Sequence, residues 1–377
     1  MELFDPTMFL KSFVDPWYNS LRHPEHSQAQ TLAKLVEGYS RTEYGDKYGA
    51  KNVKTITDFQ RSFPIVDYWG LFPWLEQVRQ GRESALLSEP VETWVMTRGT
   101  TGVSKVIPAT KSHLDLILMT GARALINFAL KKNDFEVLSG EVLNLNFPSD
   151  VNSIRTREGE KRYGYSSGTY ARLNPSLGQA RLVPKQEEID ALGGGSSKMD
   201  WEKRFELVHQ RAKDRPVKSV MGVTTVIEAF ARYVKKHHRV LPKNFWNLKA
   251  VFLTSVAKIQ TKHAPIVRHF FGRVPVVEMY TATEGVFAQQ LDDNPYVCPN
   301  YDAYLFEAVT RGGVKPLYEL KPREWGRIIV STPLFPRYDI GDFVEAEGQG
   351  YYRIIGRTRT RTALEHVLYN LMSLRFT

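Results

Sequence analysis

Between residues 201 and 284 the sequence alternates amphipathic segments with short apolar runs, and this alternation constrains the fold more than any other feature of the chain. The spacing predicts a helix over 201–213, a strand over 219–222, and a helix over 225–237 with Val226, Ala229, Phe230 and Tyr233 inward. A buried-type strand over 248–254 follows, then a helix over 263–271 ended by Gly272, then a strand over 274–280. Apolar strands joined by helices argue an α/β sheet with helices on its faces. In open sheets of this kind ligands gather at the carboxyl ends of strands, so Thr281-Ala282-Thr283-Glu284-Gly285 lies where a site is expected.

Upstream, strand-like segments over 93–96 and 105–109 flank the loop Thr97-Arg98-Gly99-Thr100-Thr101-Gly102-Val103-Ser104-Lys105. Its two glycines, three threonines and one lysine supply backbone N–H groups, hydroxyls and a mobile cation, the donor set a polyphosphate needs. We read it as a phosphate-gripping loop; taken alone, it could also be a Gly/Thr turn between two strands. It is not a Walker A loop, because Lys105 follows Ser104 rather than Gly and precedes Val106 rather than Ser or Thr.

Elsewhere the patterns are plainer. Residues 24–38 read as a helix with Pro24 at its start and Gly38 at its end, 42–49 as a turn-rich link, 57–60 as the start of a short helix, and 63–68 as extended. Ser112-His113-Leu114-Asp115 has the capping-box pattern, and Leu114, Ile117, Leu118, Leu125 and Phe128 then recur at helical spacing. Residues 142–147 alternate toward a strand, 162–172 read as a Gly/Ser/Tyr-rich loop that could line a pocket or merely connect, and 191–197 as an exposed loop. From Gly326 the pattern is β-like, over 327–330, 337–342 and 351–357.

Charge and cysteine usage narrow the chemistry. The excess of 51 Lys+Arg over 41 Asp+Glu suits nucleic acid or small anions, but the basic runs carry no nucleic-acid motif, so no nucleic-acid partner is expected. A single cysteine, Cys298, and no H-E-x-x-H spacing argue against a disulfide framework or a transition-metal site. The apolar runs are short for a bilayer and the first residues lack the form of a signal peptide, so no membrane association and a cytoplasmic location are expected.

The pattern T-x-G-T-T-G-x-x-K at 97–105 resembles the ATP-phosphate loop of the adenylate-forming superfamily, which includes acyl-CoA ligases and firefly luciferase. The order TEYG at 42–45, ITDFQRSFPIVDY at 56–68, a helix ending near Arg82-Glu83, and then the loop resembles more narrowly the N-terminal half of the Gretchen Hagen family of acyl-acid amido synthetases. Y-x-x-T-E at 280–284 is similar to the superfamily's adenine and magnesium motif, with Thr281 where most members have Gly. The resemblance places Tyr280 against adenine, Thr283 on the α-phosphate and Glu284 on Mg²⁺, the last in keeping with that ion's taste for one or two carboxylates. It places Gly99, Thr100, Thr101 and Gly102, with Thr97, Arg98 and Lys105, around the phosphates; Arg98 stands where a Ser is usual. Y-x-x-G-D at 338–342 looks like the ribose motif, with Asp342 taking the two ribose hydroxyls, and Gly356-Arg357 matches the G-R pair before the family's hinge.

What the resemblance implies is the large N-terminal domain of the adenylate-forming fold over 1–357: helix-flanked β-sheets and, at about 300–357, a smaller β-rich, barrel-like part. Arg357 is followed by only 20 residues, so the small C-terminal domain of the family, with its adenylation lysine, is expected to be missing. Residues 358–377 would be a hinge, a remnant or a divergent tail, and the chain alone would be impaired unless a partner chain supplies that domain. The implied reaction is ATP- and Mg²⁺-dependent activation of a small carboxylic acid as its acyl-adenylate, with Lys105, Thr283 and Glu284 in the catalytic positions. Amide formation with an amino acid would follow in the complete protein. Transfer to coenzyme A, or nucleotide binding without turnover, are the alternatives.

Overall fold

The structure, a computed structural model, describes residues 6–98, 104–174, 176–177 and 180–357. Among these residues the strands form one sheet of 13 members and one of 4. The heart of the larger sheet is parallel, with Ala180–Val183, Glu141–Leu143, Val217–Val223, Ala250–Thr254 and Val276–Ala282 side by side in that order. Period-two alternation sends neighbouring residues to opposite faces. Val251 and Leu253 join a cluster with Phe230, Val267 and Phe271 of the helices Thr224–His238 and Ala264–Phe271. Ala250 and Phe252 join another, with Leu125 and Phe128 of the helix Lys111–Lys132. Each such side chain contributes about 1.5–3 kcal/mol on burial, which is why both faces carry helices.

Past Val276–Ala282 the sheet becomes antiparallel. Gly285–Gln290 folds back on it, and Val297–Pro299, Tyr351–Arg357, Tyr338–Gly348, Trp325–Ser331, Leu305–Thr310 and Gly313–Pro316 continue to the edge. A third apolar cluster ties this part to the N-terminal helices, with Leu32 and Tyr39 of Pro24–Tyr39 in the same group as Phe306 and Tyr338. The smaller sheet runs Val106–Thr110, Val91–Met96, Gly159–Tyr165, Asn152–Thr156.

Several local expectations are corrected. The first element among the described residues is a helix, Pro6–Arg22, that accommodates Pro16 and for which no expectation was stated. The helix Lys111–Lys132 is capped by Thr110, whose hydroxyl accepts from the His113 N–H, so the expected box at Ser112 is not used. The strand expected over 142–147 stops at Leu143, and 162–172 is the end of the Gly159–Tyr165 strand followed by the helix Ser166–Leu173 rather than a loop. The strand expected to end at Tyr280 runs to Ala282. Lys111–Lys132 is long and apolar enough to cross a membrane by length and composition, yet 56% of its most apolar window is buried, and it packs against Gly285–Gln290 and Pro6–Arg22.

Candidate functional site

A cavity of about 460 Å³ opens where the parallel strands end, at Gly222–Val223, Thr254–Ala257 and Tyr280–Glu284. Thr97, Arg98 and Lys105 reach it from the smaller sheet, and Asp342 and Arg357 from the antiparallel part. The candidate residues Thr97, Arg98, Lys105, Tyr280, Thr283, Glu284, Asp342 and Arg357 therefore face one space, although they come from distant parts of the chain. Gly99, Thr100, Thr101 and Gly102 lie outside the described residues.

The loop's base is closed by Thr97 and Lys105, the Lys105 N–H donating to Thr97 Oγ1 at 3.0 Å and the Thr97 N–H to the Lys105 carbonyl at 2.9 Å. This directs the Lys105 side chain inward, where Nζ donates to Tyr338 Oη at 3.2 Å and lies 5.5 Å from the Tyr68 ring centre. Tyr338 also lies near the Glu284 carboxylate, and burial together with that negative neighbour raises its phenol well above the usual value. A cation and a carboxylate thus flank one phenol without neutralising each other directly.

Thr283 and Glu284 form the tight turn between Val276–Ala282 and Gly285–Gln290, where Ala282 pairs with Gly285. Only glycine fits after Glu284: a Cβ at 285 would lie 2.6 Å from Phe287 and 3.0 Å from Tyr304. Two groups of the neighbouring helix hold the turn, Ser166 Oγ 3.1 Å from Thr283 Oγ1 and Tyr170 Oη donating to the Thr283 carbonyl at 2.9 Å. His113 Nε2 lies 3.3 Å from Tyr170 Oη, and burial pushes its imidazole down to about 4.

Asp342 is buried, accepting from Tyr280 Oη at 2.9 Å and pairing with Arg357 Nε at 3.3 Å. Burial raises its carboxyl, and Arg357 opposes the rise. Arg98 lies 5.8 Å from the Phe147 ring centre, and its guanidinium has no hydrogen bond or ion pair among the described residues. Burial and the nearby Arg357 both lower its pKa, so an anion between these two guanidiniums would relieve both strains.

These observations fit a magnesium nucleotide. Asp342 is held in place with lone pairs that could take a vicinal diol, and Arg98 and Lys105 could present positive charge to phosphates. Among the described residues no group of three or more His, Cys, Asp or Glu side chains could hold a metal by itself. Glu284 with phosphate oxygens and water is the arrangement that suits Mg²⁺ here, because that ion keeps much of its water and takes few carboxylates. The sequence reading missed Tyr338 and His113, and it had Ser166 and Tyr170 only as part of a segment that could line a pocket or merely connect. Tyr338 had a signal, since it is the first residue of the same Y-x-x-G-D string that contains Asp342; His113 is brought in by packing.

Comparison with known proteins places this geometry in context. The model of the GH3 family N-terminal domain matches residues 17–212, just over half of the chain. A jasmonoyl–L-amino acid synthetase of Nicotiana attenuata is 27% identical over 124 residues, which cover 32% of this chain and 21% of that protein. The chain therefore matches about a fifth of that relative's length. Among solved structures, the acyl acid amido synthetase AtGH3.15 in complex with 2,4-DB superposes with a TM-score of 0.75 at 13% identity, covering 95% of this chain and 72% of that one. A 2-hydroxyisobutyryl-CoA ligase superposes at 0.64 with 13% identity, covering 89% and 68%. These two likenesses are of fold, the α/β architecture of adenylate-forming ligases.

Proposed function

This chain belongs to the GH3 family, and from that premise we propose that it activates a small carboxylic acid with ATP as an acyl-adenylate, which the complete protein transfers to an amino acid. The observation that supports this reading most directly is the meeting of Lys105, Glu284 and Asp342 around one cavity at the strand ends, with the Tyr338 hydroxyl bonded to Lys105. The similarity to a jasmonoyl–L-amino acid synthetase supports the amide-forming second half.

In this proposal Tyr280 lies against the adenine and Asp342 accepts from the ribose hydroxyls, which fixes the α-phosphorus relative to the acid. The Lys105 ammonium and the Arg98 guanidinium face the phosphates and oppose the charge that develops as pyrophosphate departs. The hydroxyl of Thr283, held by Ser166, donates to the α-phosphate. Glu284 would hold Mg²⁺, which when bound neutralises phosphate oxygens. No side-chain nucleophile is needed, because the acid's own carboxylate attacks in line and the new O–P bond forms as the bond to pyrophosphate breaks. Ile117, Leu118, Ala122 and Val142 line the cavity with apolar surface, which suits the hydrocarbon part of the acid. The cytoplasmic setting expected from the sequence belongs to this proposal as well.

The test is acid-dependent ATP–pyrophosphate exchange with a panel of aryl and aliphatic acids, followed by amino-acid and coenzyme A acceptors in parallel. Exchange with amide product supports the proposal, and thioester product would replace its second half. No exchange and no nucleotide binding with any acid would overturn it.

A further inference from the structure

Residues 229–277 hold ten Lys and Arg and no Asp or Glu. The whole chain has 51 Lys and Arg against 41 Asp and Glu, so this stretch carries the entire excess of positive charge and the remaining residues balance. The fold gathers that charge on one face. The helices Thr224–His238 and Ala264–Phe271 pack side by side over the same side of the parallel strands, with Phe230, Val234, Val267 and Phe271 beneath them. Arg232, Lys235, Lys236 and Arg239 recur at helical spacing on the outer side and are exposed. Arg268 and Arg273 are exposed on and just after the second helix, and Lys243 joins them, because its Cβ lies 3.7 Å from where a Cβ of Gly272 would stand.

Two cations of the stretch are already paired, Arg232 with Glu228 at 3.1 Å and Lys249 with Asp134 and Glu136 at 3.3 and 3.2 Å. Glu206, on the adjoining helix Lys198–Ala212, accepts from Tyr233 Oη and meets His238 Nε2, both at 2.9 Å. The side chains of Lys235, Lys236, Arg239, Lys243 and Arg273 form no hydrogen bond or ion pair among the described residues, and Arg268 bonds only the Val274 carbonyl. Helix dipoles account for a part of this, since Lys235, Lys236 and Arg268 stand in last turns. They do not account for Lys243 and Arg273, which lie outside both helices, nor for Arg239, which holds the left-handed cap at φ 60°, a place glycine or asparagine fills more easily. Nor does the cavity use this charge. Thr224 follows Val223 at the cavity wall, and its helix then runs 15 residues away, about 20 Å, while Ala264–Phe271 leads into the opposite end of the Val276–Ala282 strand. Salt screens charges over about 8 Å, well short of that distance.

We infer that the surface around Lys235, Lys236, Arg239, Lys243, Arg268 and Arg273 binds the phosphate backbone of a nucleic acid without reading its bases. This departs from the expectation of no nucleic-acid partner, which was drawn from the lack of a base-reading motif; backbone binding needs none. No large apolar side chain of 229–277 is exposed. Protein interfaces centre on apolar and aromatic anchors and are poor in Lys, and lasting attachment to an anionic membrane needs an apolar insertion beside the basic patch. A nucleic acid needs neither. Its duplex presents a charge about every 1.7 Å along the axis, and unpaired Lys and Arg on a rigid helical layer meet that row by charge alone.

The experiment measures, by fluorescence anisotropy, binding of the 377-residue chain to labelled DNA and RNA duplexes of about 20 base pairs, between about 50 and 200 mM KCl. Neutralising about four phosphates gives a slope of log affinity against log salt of about −3.6, a loss of roughly 150-fold over that range. Lys235→Gln/Lys236→Gln/Arg239→Gln should weaken binding at least about tenfold at the lower salt and flatten the slope by about 2–3. Lys11→Gln/Lys34→Gln/Lys54→Gln removes the same charge from exposed positions far along the chain and should leave binding within about twofold. Urea midpoints of both triple variants, compared with the wild type, show that they are folded. Equal weakening by the two triples, or no binding of either duplex by the wild type at about 50 mM KCl, would overturn the inference. Tighter binding of polyglutamate or of phosphatidylserine vesicles would overturn it too, and would point to an acidic protein or a membrane instead. None of these results bears on the nucleotide cavity.

Discussion

Replacing Glu307 by Leu should destabilise this protein more than almost any other single change outside the cavity. Glu307 and Arg337 are 1% and 4% exposed and meet through two bonds of 2.9 Å, from Nε to Oε2 and from Nη2 to Oε1. Gln60 Nε2 donates to the same carboxylate at 3.0 Å, and Arg337 Nη1 donates to the Gln60 and Phe63 carbonyls at 2.9 and 2.6 Å. The pair thus ties the helix Ile56–Ser62 to the strands Leu305–Thr310 and Tyr338–Gly348. Removing the carboxylate leaves a buried guanidinium with only carbonyl partners, which costs about 3–5 kcal/mol. The double variant Glu307→Leu/Arg337→Met removes the stranded charge but leaves two carbonyls without donors, at about 1–3 kcal/mol each, so recovery should be partial. Urea unfolding of both singles and the double gives the coupling energy, expected above about 2 kcal/mol. Because Arg337 precedes Tyr338, whose hydroxyl meets Lys105, Glu307→Leu should also weaken ATP binding. A loss below about 1 kcal/mol, or a coupling near zero, would refute the reasoning.

Tyr338→Phe keeps the ring but removes the hydroxyl that meets Lys105 beside Glu284, so pyrophosphate exchange should fall by about tenfold while the urea midpoint moves little. Glu284→Gln keeps the shape and removes the charge: exchange at limiting Mg²⁺ should drop by roughly a hundredfold, and unchanged exchange would remove Glu284 from the metal role. His113 is buried neutral, its pKa depressed from 6.5 to about 4, so the stability it protects is present above 6.5 and lost as pH falls through 4. Between those values the wild type should lose about 3 kcal/mol more than His113→Gln in urea titrations, and equal losses would contradict the burial argument.

The parallel strands were legible because each is a short apolar run between helices with one apolar side, and such periodicity is local. Val251 to Leu253 could hardly be read otherwise. Thr283-Glu284 was legible as a candidate from its place just after a strand-like run, whereas Asp342 was legible only through the resemblance of its string to a family motif. Composition misled where it hid periodicity: the glycines, serines and tyrosines of 162–172 suggested a loop, whereas Ser166 and Tyr170 sit on a helix that props the Thr283 turn. The helix Pro6–Arg22, which accommodates Pro16 and packs against Lys111–Lys132, was not read from the sequence at all. Only the tertiary structure decided which distant groups meet. Lys105 and Tyr338 are 233 residues apart, Arg337 and Gln60 277, and Arg123 finds Asp302 179 residues away. A residue type states which bonds it can make, but the topology of the sheet chooses the partner, and with it the electrostatics of the cavity.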